Sequence, residues 1–269
     1  MNHSASAVNT GDLSRFPAMM GIVNVTPDSF SDGGQYSDFA SAVRHGRKLA
    51  DDGAAIIDVG GESTRPHFQP VPVAEELRRV IPVVRALCDG NLFVSIDTTR
   101  AETAHAALEA GARMINDISG GLFDPEMASL AADRRCWVCL GHIFPENAAR
   151  EGLHNPYTAG KDIVEKVLTD LRDRRDHFLA AGVPRARIVL DPGIGFGKNL
   201  EQNLAILDRI DEFFWLGCRL AVGLSRKRFL GGETLQEKDR RTALWTSYLV
   251  KHHVDIIRVH QINTPFLTQ

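Results

Sequence analysis

The sequence predicts a closed (β/α)8 barrel, and three observations carry that expectation. Short apolar runs alternate with longer helix-period stretches along the chain. Eight such runs fit into a single chain of 269 residues, 43% of them hydrophobic, a length and composition that fill one large α/β core without requiring a second. Most of the runs end on a polar or charged residue, which is what a parallel barrel needs if its chemistry sits at the carboxyl ends of the strands.

Taken in order, strands are read over residues 19–25, 55–59, 93–96, 113–115, 136–140, 187–190, 219–222 and 255–259. The sixth is the clearest. Ile188-Val189-Leu190 is a buried run, Asp191 stands at its end, and the Pro/Gly-rich stretch Pro192–Gly197 fixes that carboxylate at the mouth. The same grammar brings Ile56-Ile57 to Asp58, Phe93-Val94-Ser95-Ile96 to Asp97, and Met114-Ile115 to Asn116-Asp117. Helix-period stretches lie between them over 39–51, 73–87, 101–110, 125–133, 162–181, 200–213 and 238–252. Gly53, Gly111 and Gly182 fall just past helical stretches, where a left-handed cap suits glycine. The domain is read as residues 18–269, preceded by a flexible tail over 1–17. A doubly wound open sheet is the structural alternative. The Gly-rich turn does not favour it, because Lys198 stands where a dinucleotide fingerprint wants its third glycine, and a phosphate-binding loop would need glycine at Pro192 and Ser or Thr at Asn199.

Composition narrows the ligand class. A net charge of -3 and a pI near 6.4 give no electrostatic footprint for nucleic acid or an anionic membrane, so small molecules are expected. Cys88, Cys136, Cys139 and Cys218 lie in or beside apolar runs and do not read as a disulfide framework, which suits a reducing cytoplasm. Cys136 and Cys139 have Cys-x-x-Cys spacing, but no second pair completes a zinc site. No window approaches a membrane span, and the first 17 residues lack a signal peptide's apolar core.

Collected at one mouth, the strand ends offer Asn24, Asp58, Asp97, Asn116, His142, Asp191, Ser225-Arg226-Lys227, Arg258 and His260. Any one of them alone reads as a helix cap or a satisfied buried polar group; the set together does not. Acceptors such as Asp97, Asn116 and Asp191 suit a flat heterocycle edged with N–H donors, because a carboxylate takes two parallel N–H bonds. Arg65, Arg258, His260 and Arg226 add a requirement for an anion.

The motifs that hold these residues resemble those of the dihydropteroate synthase family. They are Gly21-Ile-Val-Asn-Val-Thr-Pro-Asp-Ser-Phe-Ser-Asp-Gly-Gly34, Asp58-Val-Gly-Gly-Glu-Ser-Thr-Arg-Pro66, Ser95-Ile-Asp97, Asn116-Asp-Ile-Ser-Gly-Gly121, Asp191–Lys198, Gly223-Leu-Ser-Arg-Lys227 and Ile257-Arg-Val-His260, in family order. The resemblance implies a transferase that condenses 6-hydroxymethyl-7,8-dihydropterin pyrophosphate with p-aminobenzoate to give dihydropteroate and pyrophosphate, a step of folate synthesis and a sulfonamide target. It implies pterin contacts from Asp58, Asp97, Asn116, Asp191 and Lys227, and pyrophosphate contacts from Asn24, Arg65, Arg258 and His260, with Asn24 acting through Mg²⁺. It implies a p-aminobenzoate wall of Phe30, Thr64, Pro66, Phe196 and Ser225. Asn24, Asp97, Lys227, Arg258 and His260 are the catalytic candidates, in an SN1-like displacement without a covalent enzyme intermediate. A non-catalytic pterin-binding paralogue and a pterin-dependent methyltransferase are the alternatives. The chain departs from the family at three places. Gly141 and Ile143 replace methionines around His142, His67-Phe68 replaces Gly-Ala, and the nine residues after His260 are too few for a full eighth helix. That helix is therefore expected to be short or missing, and it normally contributes to a homodimer interface.

Overall fold

The computed structural model describes residues 17–25, 34–62, 71–144 and 162–262. Its eight strands are β1 (Ala18–Asn24), β2 (Ile56–Gly60), β3 (Val94–Asp97), β4 (Met114–Asp117), β5 (Trp137–Gly141), β6 (Ile188–Asp191), β7 (Arg219–Gly223) and β8 (Ile256–Val259). Every neighbouring pair is parallel, and β8 closes back onto β1 through Ala18↔Ile256 and Met20↔Arg258, so the sheet is a closed barrel in sequence order. Strands β2, β4 and β5 are buried along their whole length, as near-continuous Val/Ile/Leu runs must be when both faces of a parallel sheet are covered.

The period-2 alternation divides the core in two. Met20, Ile56, Phe93, Met114, Trp137 and Val189 belong to a compact cluster that fills the barrel interior. The alternate residues, including Val59, Ile96, Ile115, Leu140 and Leu190, pack outward against the helices. Those helices are α1 (Gly34–Asp51), α2 (Val73–Asp89), α3 (Ala101–Glu109), α4 (Met127–Arg134), α5 (Ile163–Ala180), α6 (Leu200–Asp208) and α7 (Leu235–Lys251). Because the interior plug fills the lower barrel, the polar residues two or four positions further along β2, β3, β4 and β6 stand above it, at the carboxyl-terminal mouth.

Several helix boundaries differ from the sequence expectation, α1 beginning at Gly34 where 39 was expected, and two of the differences have a visible local cause. The stretch read as one helix over 200–213 stops at Asp208 and continues as a 3-10 turn, Ile210–Leu216, which ends on Gly217 at φ +69°. The break is at Arg209, whose guanidinium turns onto Glu212 at 2.6 and 2.9 Å. The last helix starts at Leu235, three residues before the expected 238, because Thr234 and Glu237 form a reciprocal capping box. The expected tail over 1–17, apart from Pro17, and the segment of the eighth helix beyond residue 262 lie outside the described residues.

Candidate active site

The strand ends converge as the alternation requires. Asp58, Asp97, Asn116 and Arg258 sit on four strands, yet their side chains form one network. Arg258 Nε donates to Asp58 Oδ2 at 2.7 Å, its Nη2 donates to Asp97 Oδ2 at 2.6 Å, and Asn116 Nδ2 donates to Asp58 Oδ2 at 2.9 Å. Glycine makes room for part of it: a Cβ at Gly60 would lie 3.3 Å from Asp97 Cβ. Asp58 is fully buried, and its Oδ1 has no hydrogen-bond partner among the described residues; the same is true of Ser95 Oγ, its register neighbour on β3. Such orphaned polar atoms are uncommon in a finished core.

Across the mouth stand Asp191 and Lys227. Asp191 Oδ1 accepts from the Gly193 amide at 2.7 Å, which orients the carboxylate. The Lys227 ammonium donates to the Ile194 carbonyl and lies 4.8 Å from the centre of the Phe196 ring. Burial shapes the electrostatics. It raises the Asp97 carboxyl to about 7, against the pull of Arg258 and with a further push from Asp58. Burial also raises Asp191, opposed by Lys227, and lowers Lys227 to about 8, opposed by Asp191. Arg258 is held firmly charged by Asp58 and Asp97 despite burial. At His260 the backbone amide donates to Ser225 Oγ at 3.2 Å and ring Nδ1 lies 3.0 Å from the same oxygen, so an anion candidate and a candidate for the p-aminobenzoate wall touch each other.

Three strand-end residues turn out to serve the scaffold. Asp117 points away from its neighbour Asn116 and accepts from the Ser119 amide and hydroxyl and the Gly121 amide at 2.7 to 2.8 Å, closing the loop after β4. Arg226 was expected to help meet the need for an anion, but its guanidinium pairs with Asp239 of α7 at 2.6 and 3.0 Å. His142 is completely buried between Asp170 and Lys198. Its neighbour Gly141 cannot carry a side chain here, since a Cβ would sit 2.6 Å from Ile118 Cα; the backbone after β4 fills the space that a methionine would need. Lys198, a mere mismatch in the sequence motif, proves to be a buried ammonium inside the loop that carries Phe196. Phe30, Thr64, Arg65 and Pro66, and the departure at His67-Phe68, lie outside the described residues.

With this geometry in place, comparison with known proteins gives a consistent answer. Residues 20–260 match the family model described as "Pterin binding enzyme". The chain belongs to the pterin-binding enzyme family. Dihydropteroate synthase of Streptococcus pyogenes serotype M3 is 43% identical over 251 residues, covering 91% of this chain and 90% of the relative. A probable bifunctional folylpolyglutamate synthase/dihydropteroate synthase of Haloferax volcanii is 44% identical over 249 residues, but the match spans only 29% of that longer relative. Among solved structures, Xanthomonas albilineans dihydropteroate synthase with 4-aminobenzoic acid superposes with a TM-score of 0.84 at 38% identity, covering 93% of this chain and 89% of the other.

Proposed function

We infer that the chain is a dihydropteroate synthase, a transferase that joins 6-hydroxymethyl-7,8-dihydropterin pyrophosphate to p-aminobenzoate in folate synthesis. The observation that carries the reading is the pairing of a buried acceptor set, Asp58, Asp97, Asn116 and Asp191, with the cations Arg258 and Lys227 at one barrel mouth. The acceptors suit the amino and N3 edge of a pterin, since carboxylate and amide oxygens accept from its N–H groups. Lys227 donates to ring acceptors opposite. The Arg258 amino group that is not engaged with Asp58 or Asp97, together with His260, Arg65 and Asn24, is assigned to the pyrophosphate.

In the reaction the bond from the pterin methylene to the pyrophosphate oxygen breaks, the electron pair leaves with the pyrophosphate, and the aniline nitrogen of p-aminobenzoate forms the new C–N bond and then releases a proton. The carboxylates Asp97 and Asp191 favour the positive charge that develops on the pterin as the bond loosens, while Arg258 and His260 stabilise the departing anion. The aniline needs little activation, so no dedicated general base is assigned. Mg²⁺ fits this donor set as a substrate-borne ion. No group of three His, Cys, Asp or Glu residues among the described residues could hold a metal, and Mg²⁺ commonly takes one or two protein ligands beside phosphate oxygens and water, here Asn24. When bound, it would neutralise charge on the leaving pyrophosphate. Phe196 and Ser225, with Phe30, Thr64 and Pro66, are assigned to the p-aminobenzoate wall, where a sulfonamide competes. The proposal includes a cytoplasmic location; none of the described helices is long and apolar enough to cross a membrane. Pyrophosphate release that requires p-aminobenzoate supports this function. Pterin binding with no release in its presence favours a non-catalytic paralogue.

A further inference from the structure

The loop after β6 holds two groups that the proposed reaction uses at different ends, Asp191 and Phe196, and an ammonium outside the mouth ties that loop together. Lys198 is 8% exposed, and its Nζ donates to the Gly193 carbonyl at 2.9 Å and the Phe196 carbonyl at 3.1 Å, and lies 3.0 Å from His142 Nδ1. These three acceptors match the three N–H bonds of an ammonium. Asp170 Oδ2, 3.0 Å from His142 Nε2, is a carboxylate oxygen that accepts, which assigns the ring proton to Nε2 and leaves Nδ1 to accept from Lys198, although burial and the nearby Lys227 push the Lys198 pKa well down. Asp170 on α5 also receives Lys166 at 2.9 Å, and the Lys198 ammonium lies 4.9 Å from the centre of the Phe144 ring. The backbone fits closely around this chain of contacts. Gly193, at φ +65°, leaves no room for a Cβ, which would fall 1.9 Å from the His142 carbonyl oxygen.

We propose that Lys198, held through His142 by Asp170, is a positioning residue that sets the separation between the Asp191 carboxylate and the Phe196 ring. The loop is gripped from two sides. Lys227 takes the Ile194 carbonyl on the mouth side, and Lys198 takes the Gly193 and Phe196 carbonyls from behind. Asn203 of α6 fixes the remaining arc by accepting from the Gly195 amide at 2.7 Å and donating to the Lys198 carbonyl at 3.0 Å. Releasing the rear grip frees Phe196 to move relative to Asp191. The consequence falls on the substrate that packs against the ring rather than on the pterin acceptor itself.

This rests on the function proposed above for the role of Phe196, and its test has a readout that does not. Lys198→Met keeps the side chain out to the ε carbon and loses all three donors. The expected result is a KM for p-aminobenzoate raised about tenfold, pterin affinity within threefold of the parent, and faster amide exchange at Gly195 and Phe196. His142→Asn, whose carbonyl oxygen stands in for Nδ1, is expected to keep KM within threefold, whereas His142→Leu is expected to raise it. Leu249→Ala, a cavity in the helix layer, controls for general destabilisation and is expected to leave KM within twofold. A folded Lys198→Met with unchanged KM and unchanged exchange overturns the proposal, as does an equal KM shift in Leu249→Ala. If Lys198→Met fails to fold, the two His142 variants decide by the same measurements. A parent protein without turnover would overturn the proposed function, and the exchange data would still report on the grip of Lys198.

Discussion

Lowering the pH should weaken pterin binding through Asp97. Burial lifts this carboxyl to about 7, whereas a free aspartate titrates near 4. A pterin edge presents N–H donors, so it needs the ionised acceptor, and a proton on Asp97 competes with the ligand. With a pKa of about 7, roughly one site in eleven is ionised at pH 6, so affinity there falls about tenfold from its plateau, or ~1.4 kcal/mol. The upper limb is set by Lys227, lowered to about 8, which loses its ring-facing proton above that value. Affinity should therefore peak between about 7 and 8, with apparent values that belong to the coupled network of Asp58, Asp97 and Arg258 and not to Asp97 alone. Calorimetry with 6-hydroxymethylpterin from pH 5.5 to 8.5, in two buffers of different ionisation enthalpy, reads both affinity and proton release. The expectation is that binding at pH 6 releases close to one proton and that Asp97→Asn abolishes this. Affinity that is flat from pH 6 to 8 with no proton exchange would refute the reasoning.

Four further outcomes can be measured. Asp191→Asn should weaken pterin binding by about 1 to 3 kcal/mol, since an amide sets donor against donor; unchanged affinity by calorimetry would remove Asp191 from the site. Arg258→Ala leaves two buried carboxylates uncompensated and should cost about 3 to 5 kcal/mol of stability in denaturant titration, much of it recovered by adding Asp58→Asn and Asp97→Asn; no recovery would mean that the loss is one of packing. Gly141→Ala should lower Tm, because its Cβ would lie 2.6 Å from Ile118 Cα, and an unchanged Tm would show that the loop after β4 yields easily. His67→Gly with Phe68→Ala should improve sulfonamide inhibition if Phe68 excludes the inhibitor's extra ring; similar inhibition constants with KM for p-aminobenzoate unchanged would leave those side chains without a role there.

What the sequence made legible was local. Strands such as Ile188–Asp191 and Val94–Asp97 announce themselves because burial on both faces demands an apolar run, and the polar residue that ends each run sits where the barrel opens. Partnerships were not legible. Arg258 is 200 residues from Asp58 and 161 from Asp97, and no spacing rule reaches that far; sequence reasoning could give Arg258 an anion but not the two carboxylates that hold it. His142 and Lys198 are 56 residues apart, and the strand-end pattern that collected His142 with the mouth residues could not show its ring buried against α5. Arg226 carried the right charge, but Asp239 on the following helix claims it. The helix starts were closer to hand. Asn199 with Gln202 and Thr234 with Glu237 are both capping boxes of the kind that local sequence displays, and the second would have moved the start of the last helix to its observed place.

The central claim is that this mouth carries out a substitution at the pterin methylene and does not merely hold the ring. The direct measurement is the yield of dihydropteroate and pyrophosphate from pterin pyrophosphate and p-aminobenzoate with Mg²⁺, repeated after chelation of the metal. The account predicts the two products in equal amounts, loss of both in Asp191→Asn, and a large drop without Mg²⁺. Tight binding of the pterin pyrophosphate with neither product formed, under conditions where a Streptococcus pyogenes dihydropteroate synthase turns over, would contradict it.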